Sequence, residues 1–353
     1  MKFRAGTVVI LASLGLLAVP LTRAQEYAIG ADVSFAAQAE QAAPFKDAGQ
    51  PEPVLEILKN HGYNWVRLRI FVSPETETGG EKLPNNLEYT LASAKAARAA
   101  GFKILLDFHY SDTWADPGHQ VTPKAWATKS HTELVQAVFE YTRDTLTAFR
   151  EQGLLPDMVQ VGNEITAGMM WPDGKLPEHW DNFADLVRAG VQGVYAGRRD
   201  QPRPKIMIHV DRGGDWKSTE AFFTKFDSYN IPYDVIGQSY YPWWHGSLLA
   251  LRENLINTAN RFHKDIYVVE TAYNWRPGNY VTHPGPFPET PQGQHDFLEE
   301  LQRVLLSVPN DRVKGVFWWE PAVSPGPIAG RGFFDDGQNA LPVVTVFDRW
   351  TRK

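Results

Sequence analysis

The chain contains no cysteine, which excludes disulfide bridges, thiolate nucleophiles and thiolate metal centres. It has no surplus of basic residues either: 35 Lys and Arg stand against 41 Asp and Glu, a formal net charge of −6. Binding to nucleic acid needs a basic stripe to neutralise phosphates, so a nucleic-acid partner is excluded. Beyond the N-terminal segment no run is apolar enough to span a bilayer. Nucleotide signatures are missing too. The stretch "GADVSFAAQ" holds no Gly-rich phosphate loop, and no Walker-type motif occurs anywhere. No HExxH or HxH spacing marks a zinc site, and no GxSxG elbow marks an acyl-transfer serine.

What the chain does have is aromatic residues, 12% of 353 positions, with 12 Trp and 13 Tyr. Most such rings fill cores. Tryptophans beside acids in loops also suit the C–H faces of sugar rings. The N-terminus carries Lys2 and Arg4, an apolar run from Gly6 to Leu21, then the small residues Thr22 and Ala24. That three-part order reads as a signal peptide over 1–24, cleaved near Ala24, with export to the periplasm or the medium. Residues 25–353 are then the mature chain.

That mature chain alternates between short apolar runs and longer segments of helical period. Eight strand candidates stand out: "AIGADVSF", "NWVRLRIF", "FKILLDFHY", "DMVQVGNE", "KIMIHVD", "YDVIGQSYY", "DIYVVETAY" and "VKGVFWWEP". Strands apolar throughout and separated by helices indicate parallel pairing with both faces buried. Eight such units predict an α/β fold of the (β/α)8 TIM-barrel type, in a single domain. Long loops follow the third, fourth and seventh strands, on the side where barrel enzymes place their sites.

Polar groups collect at those strand ends. They are Asp32 and Ser34, Arg67 and Arg69, Asp107 and His109, Asn163 and Glu164, His209 and Asp211, Gln238 and Tyr240, Glu270, and finally Trp318, Trp319 and Glu320. Singly, each reads as structural; together they mark a mouth. Glu164 and Glu270 each close an apolar strand, and two carboxyls converging from different strands are what glycosidic cleavage needs. One must hold a proton and the other must stay ionised, so their surroundings must differ. Arg69 is the cation expected beside the ionised one, and Asn163 the donor to a sugar hydroxyl. A catalytic metal held by His109, His209 and Asp211 is the competing chemistry.

The stretches "GADVS", "VRLR", "DFHYSDTWADPGHQ", "VQVGNEI", "SYYPWW", "VVETAY", "PQGQ" and "GVFWWEP" together resemble glycoside hydrolase family 53, the arabinogalactan endo-β-1,4-galactanases of clan A. The resemblance runs over nearly the whole mature chain. It implies a retaining double displacement on β-1,4-galactan, with Glu164 as acid/base, Glu270 as nucleophile and the carboxyls roughly 5–5.5 Å apart. It further implies that Arg69 lies beside the nucleophile and that Tyr240 holds that carboxylate. Asp32, His109, His209, Trp114, Trp243 and Trp319 become the substrate wall, with Asn163 beside the acid. Some bacterial members bind calcium in the loop after strand seven. Here that loop carries one acid, Glu289, and two asparagines, so no metal and no cofactor is assigned. The absence of cysteine suits a bacterial rather than a fungal type. The alternatives are another clan A endo-glycanase, a β-mannanase or β-glucanase, or a noncatalytic carbohydrate-binding barrel. The partner expected is the polysaccharide alone, bound by a monomer. Arg212 either touches substrate or pairs with Asp215.

Overall fold

The computed structural model describes Lys2 and residues 26–74, 83–278, 283–326 and 328–351. Apart from Lys2, the proposed signal segment therefore lies outside the described residues, as does part of the loop after the seventh strand. Eight parallel strands close into a barrel: β1 (Ala28–Asp32), β2 (Trp65–Ile70), β3 (Lys103–Phe108), β4 (Met158–Val161), β5 (Lys205–Val210), β6 (Val235–Tyr240), β7 (Asp265–Thr271) and β8 (Val313–Trp319). Each strand pairs with its neighbours in chain order, and β8 closes on β1 through Ala28–Gly315 and Asp32–Trp319. The (β/α)8 expectation holds. No helix among the described residues is long and apolar enough to cross a membrane.

The helices around the barrel form where their termini are satisfied. The helix His131–Glu151 begins at Ser130, whose backbone N–H donates to the Glu133 carboxylate at 2.7 Å, a reciprocal cap that satisfies an otherwise orphaned donor. The helix Trp180–Arg198 packs tightly against it. A Cβ at Gly193 would stand 2.8 Å from the Phe139 carbonyl, and one at Gly197 would stand 2.6 Å from that of Arg143. Only glycine allows that approach, and it brings the two helices over β3 and β4.

Inside the barrel the lumen divides into two layers. Toward the N-terminal ends of the strands, Ala28, Trp65, Leu105, Met158, Met207, Val235, Tyr267, Val269 and Phe317 pack into an apolar cluster of their own. Toward the C-terminal ends the buried side chains turn polar, with Asp32, Arg67, Arg69, Asp107, Gln160 and His209 all at or below 1% exposure. The polar layer is the floor of the site.

Candidate active site

A cleft of about 660 Å³ opens above that floor. His109, Trp114, Asn163, Glu164, Tyr241, Trp244, Glu270 and Trp319 line it, with Asp211, Arg212, His245 and Arg331 at one side. Every one of these follows or ends a barrel strand or stands in a loop on the same side, as strand polarity requires.

Glu164 arrives there by a turn, not a strand. The strand read as "DMVQVGNE" stops at Val161. Gly162 follows at φ +83°, where an added Cβ would press on the Ile165 side chain at 2.6 Å. Glu164 itself adopts φ 48°, ψ 49°, a left-handed conformation that non-glycine residues avoid at a cost of about 1–3 kcal/mol. Glu270 reaches the lumen by a different device. Val269 belongs to the inner cluster, so strict alternation would send Glu270 outward. The ladder to β8 slips between Val268 and Thr271, and that irregularity lets both side chains face in.

The two carboxyls meet opposite surroundings. Glu270 Oε1 lies 2.8 Å from Arg67 Nη1, and its Oε2 accepts a hydrogen bond from the Tyr241 hydroxyl at 3.1 Å. Burial pushes its pKa up and the Arg67 charge pulls it back, leaving it at about 6. Glu164 has no ion-pair partner among the described residues. Its Oε1 accepts from the Ser239 hydroxyl at 2.6 Å. Burial first, then the nearby Glu270 and Asp211, drive its pKa well above the carboxylate range. One carboxyl is thus held as an acid while its neighbour is the readier to ionise.

The cation that does this is Arg67, not the Arg69 the sequence points to. Both face the lumen, two residues apart on one strand, but Arg67 lies one pleat deeper. From there it reaches Asp32 (2.8 Å), Asp107 (2.7 Å), the Asn163 amide oxygen (2.7 Å) and Glu270. Arg69 pairs with Glu320 and lies between Phe35 and Trp114, its guanidinium 4.6 and 4.4 Å from the two ring centres. It braces the Trp114 wall by cation–π contact.

The tyrosine on Glu270 is likewise Tyr241, not Tyr240. Odd-numbered residues of β6 face inward: Val235 joins the inner cluster and Ser239 reaches Glu164. Tyr240 therefore points to the helices, stacks on Phe297 and donates to the Gly246 carbonyl. The same shift by one affects Trp243. It is buried, with its indole N–H on Glu289, while Trp244 lines the cleft at 44% exposure. Trp114, Trp319 and His109 do line the cleft; the two indoles lie 5.9 Å apart at 55°.

Asp32 and His209 belong to the floor, not the wall. Asp32 is spent on Arg67 and on the Ser34 hydroxyl at 2.5 Å. His209 is fully buried, which together with the Arg67 charge keeps it neutral. His109 is also neutral from burial, its Nδ1 accepting from the Ala115 N–H and its Nε2 3.0 Å from Asp107. These two histidines thus have their ring nitrogens engaged by protein groups. Arg212 pairs with Asp211 at 3.2 Å, and Asp215 instead caps the helix Trp216–Asp227 through the Ser218 N–H. Glu289 ties its own loop together through Trp243, the Asn274 amide (2.9 Å) and the Gly278 N–H (2.7 Å). Among the described residues one group has metal-ligand spacing, His295, Asp296 and Glu299 on the helix Pro291–Leu306, none of which lines the cleft.

Known proteins match this arrangement along its length. The family described as "Glycosyl hydrolase family 53" matches residues 28–347. An uncharacterized protein of Niallia circulans is 43% identical over 85% of each chain. A probable arabinogalactan endo-β-1,4-galactanase A of Aspergillus fumigatus is 36% identical over 90% of each. Among solved structures, the GH53 catalytic domain of Ignisphaera aggregans superposes with a TM-score of 0.85 at 34% identity, covering 93% of this chain and 97% of that one.

Proposed function

The chain belongs to glycosyl hydrolase family 53, and from that premise we propose that it cleaves internal β-1,4-galactosidic bonds of galactan by a retaining double displacement. The observation that carries the reading is the opposed setting of the two carboxyls. Among the described residues Glu164 is buried without an ion-pair partner, whereas Glu270 is clamped by Arg67 and Tyr241.

In the first step Glu270 attacks the anomeric carbon while Glu164 gives its proton to the glycosidic oxygen. That C–O bond breaks and a galactosyl ester forms. In the second, Glu164 takes a proton from water, which attacks the same carbon and releases Glu270 as carboxylate. The Asn163 amide gives one N–H to the Ala115 carbonyl at 2.8 Å, and its other N–H is the donor for the sugar hydroxyl next to the reacting carbon. Trp114, Trp244 and Trp319 supply stacking faces for the polymer. No metal or cofactor enters any step. Export, with cleavage near Ala24 and a monomeric catalytic domain of 25–353, belongs to the same proposal and is supported by the charge–apolar–small order of the first residues.

Assay on unbranched β-1,4-galactan, beside mannan and cellulose, tests the substrate. Glu270→Ala is expected to lower kcat by about 10⁴-fold or more, and added azide to restore turnover as an α-galactosyl azide. Cleavage of mannan or glucan in place of galactan sinks the substrate assignment. An initially inverted product seen by NMR sinks the mechanism, and no cleavage of any polymer leaves a carbohydrate-binding barrel.

A further inference from the structure

Glu164 has a neighbour that the double displacement alone does not call for. Ser239 stands between Glu164 and His209, with its oxygen 2.6 Å from Glu164 Oε1 and 2.8 Å from His209 Nε2. All three groups are buried. A hydroxyl has one proton, so the direction of this chain depends on which ring nitrogen of His209 carries hydrogen.

The partners decide it. Asn163 Oδ1 lies 3.0 Å from His209 Nδ1 and would be the acceptor for a proton there. That oxygen already accepts from Arg67 Nη2 at 2.7 Å, and Gln160 Nε2, a donor only, stands 2.9 Å from it and 3.1 Å from His209 Nδ1. The Glu164 backbone N–H, whose hydrogen has no freedom, points at Nδ1 from 3.3 Å. Nδ1 is therefore an acceptor and the ring proton sits on Nε2. His209 then donates to Ser239, and the Ser239 hydroxyl has Glu164 Oε1 left to donate to.

We propose that Ser239 is a positioning residue for Glu164: held in one donating direction by His209, it occupies Oε1 and confines the transferable proton to Oε2. An acid whose proton could sit on either oxygen would spend part of its time with the wrong one facing the leaving group. The same bond persists when Glu164 is ionised and stabilises that form, which eases proton release in the first step. Other groups act on Glu164 as well: Glu270 from β7, Asp211 at the end of β5, Asp116 in the loop after β3, and Tyr241 after β6. None of them donates a hydrogen bond to Oε1. His209 is the last link and stays neutral, so the chain orients and does not carry charge.

This inference rests on Glu164 being the acid/base, and its test separates the two claims. Two substrates are compared, galactan, whose leaving group needs a proton, and a 2,4-dinitrophenyl β-galactobioside, whose leaving group does not. Ser239→Ala is expected to lower kcat/KM on galactan about tenfold more than on the dinitrophenyl substrate, and to move the basic limb of the galactan pH profile upward. Ser239→Thr keeps the hydroxyl and is expected to restore both. Activity of each variant on the dinitrophenyl substrate reports a folded cleft. Equal losses on the two substrates with an unmoved basic limb, or no loss at all, overturn the proposal. Glu164→Ala is run beside them. If it shows no dependence on the leaving group, the acid/base assignment itself has failed. If it does and Ser239→Ala does not, only the positioning role has.

Discussion

The two layers of the barrel lumen are built from the same strands and obey different rules. In the apolar layer, Met207, Val269 and Phe317 need only fill space, because dispersion and the hydrophobic effect have no direction. In the polar layer one guanidinium, Arg67, faces Asp32, Asp107 and Glu270 within 2.8 Å, and each group depends on the others being present. Counting Arg69 and Glu320, the set already holds more carboxyls than guanidiniums before Glu164 is added. A further buried carboxyl is most cheaply accommodated with its proton on. The general lesson is that a packed layer positions the strands, and an unbalanced charged layer above it sets protonation.

Arg67→Met breaks the comparison most severely. It leaves Asp107 and Glu270 without that guanidinium and Asp32 with Arg69 alone, 3.7 Å away, a defect that costs about 3–5 kcal/mol when one partner of a buried pair is removed. Protonation of Glu270, whose charge Arg67 favours, relieves part of the loss. Denaturant titration is therefore expected to show a larger destabilisation at pH 8 than at pH 5. A loss below about 1 kcal/mol, equal at both pH values, would mean that charge does not hold the upper layer together.

Met207→Ala makes the matching test below. Truncating a buried methionine removes transfer free energy and leaves a cavity, about 2–5 kcal/mol. The cost is expected to be the same at pH 5 and pH 8. On galactan, kcat/KM should stay within about twofold at temperatures where the variant is folded. A pH-dependent cost would show that the two layers are electrically coupled, contrary to the division drawn here.

The apolar layer was also the legible one. Runs such as "KIMIHV" and "IYVVE" announce buried parallel strands, and all eight fall where their apolar character puts them. The polar layer was legible in kind but not in address. Arg67 and Arg69 share a face, so alternation cannot choose between them; only depth in the barrel does, and depth is a tertiary quantity. Tandem pairs hide parity, and reading "SYYPWW" one residue off exchanged Tyr241 for Tyr240 and Trp244 for Trp243. The slip in the β7–β8 ladder that turns Glu270 inward leaves no mark in the pattern, and Glu270 was found for its chemistry. Asp32 and His209 stand at the right strand ends, yet their buried partners make them floor instead of wall. Ser239 is not legible in the sequence, because a serine between Gln238 and Tyr240 in an apolar strand carries no signal of its own.

The smallest expected effect is the sharpest test of how the two carboxyls are told apart. Tyr241 donates to Glu270 Oε2, and a hydrogen bond to the ionised form favours that form. Tyr241→Phe removes it, so the Glu270 pKa must rise from its position near 6. Below its pKa Glu270 is protonated and could not act as the proposed nucleophile. The acid limb of kcat/KM should therefore move upward by about half a unit to one unit, from the roughly 1 kcal/mol of one such bond. Relative activity should fall more at pH 5.5 than at pH 7.5. Ser239→Ala acts on the other carboxyl and is expected to move the other limb. If the two variants displace the same limb, the pair titrates as one unit and separate roles cannot be assigned to its members. If each displaces its own, the opposed settings of Glu164 and Glu270 are what divide acid from nucleophile.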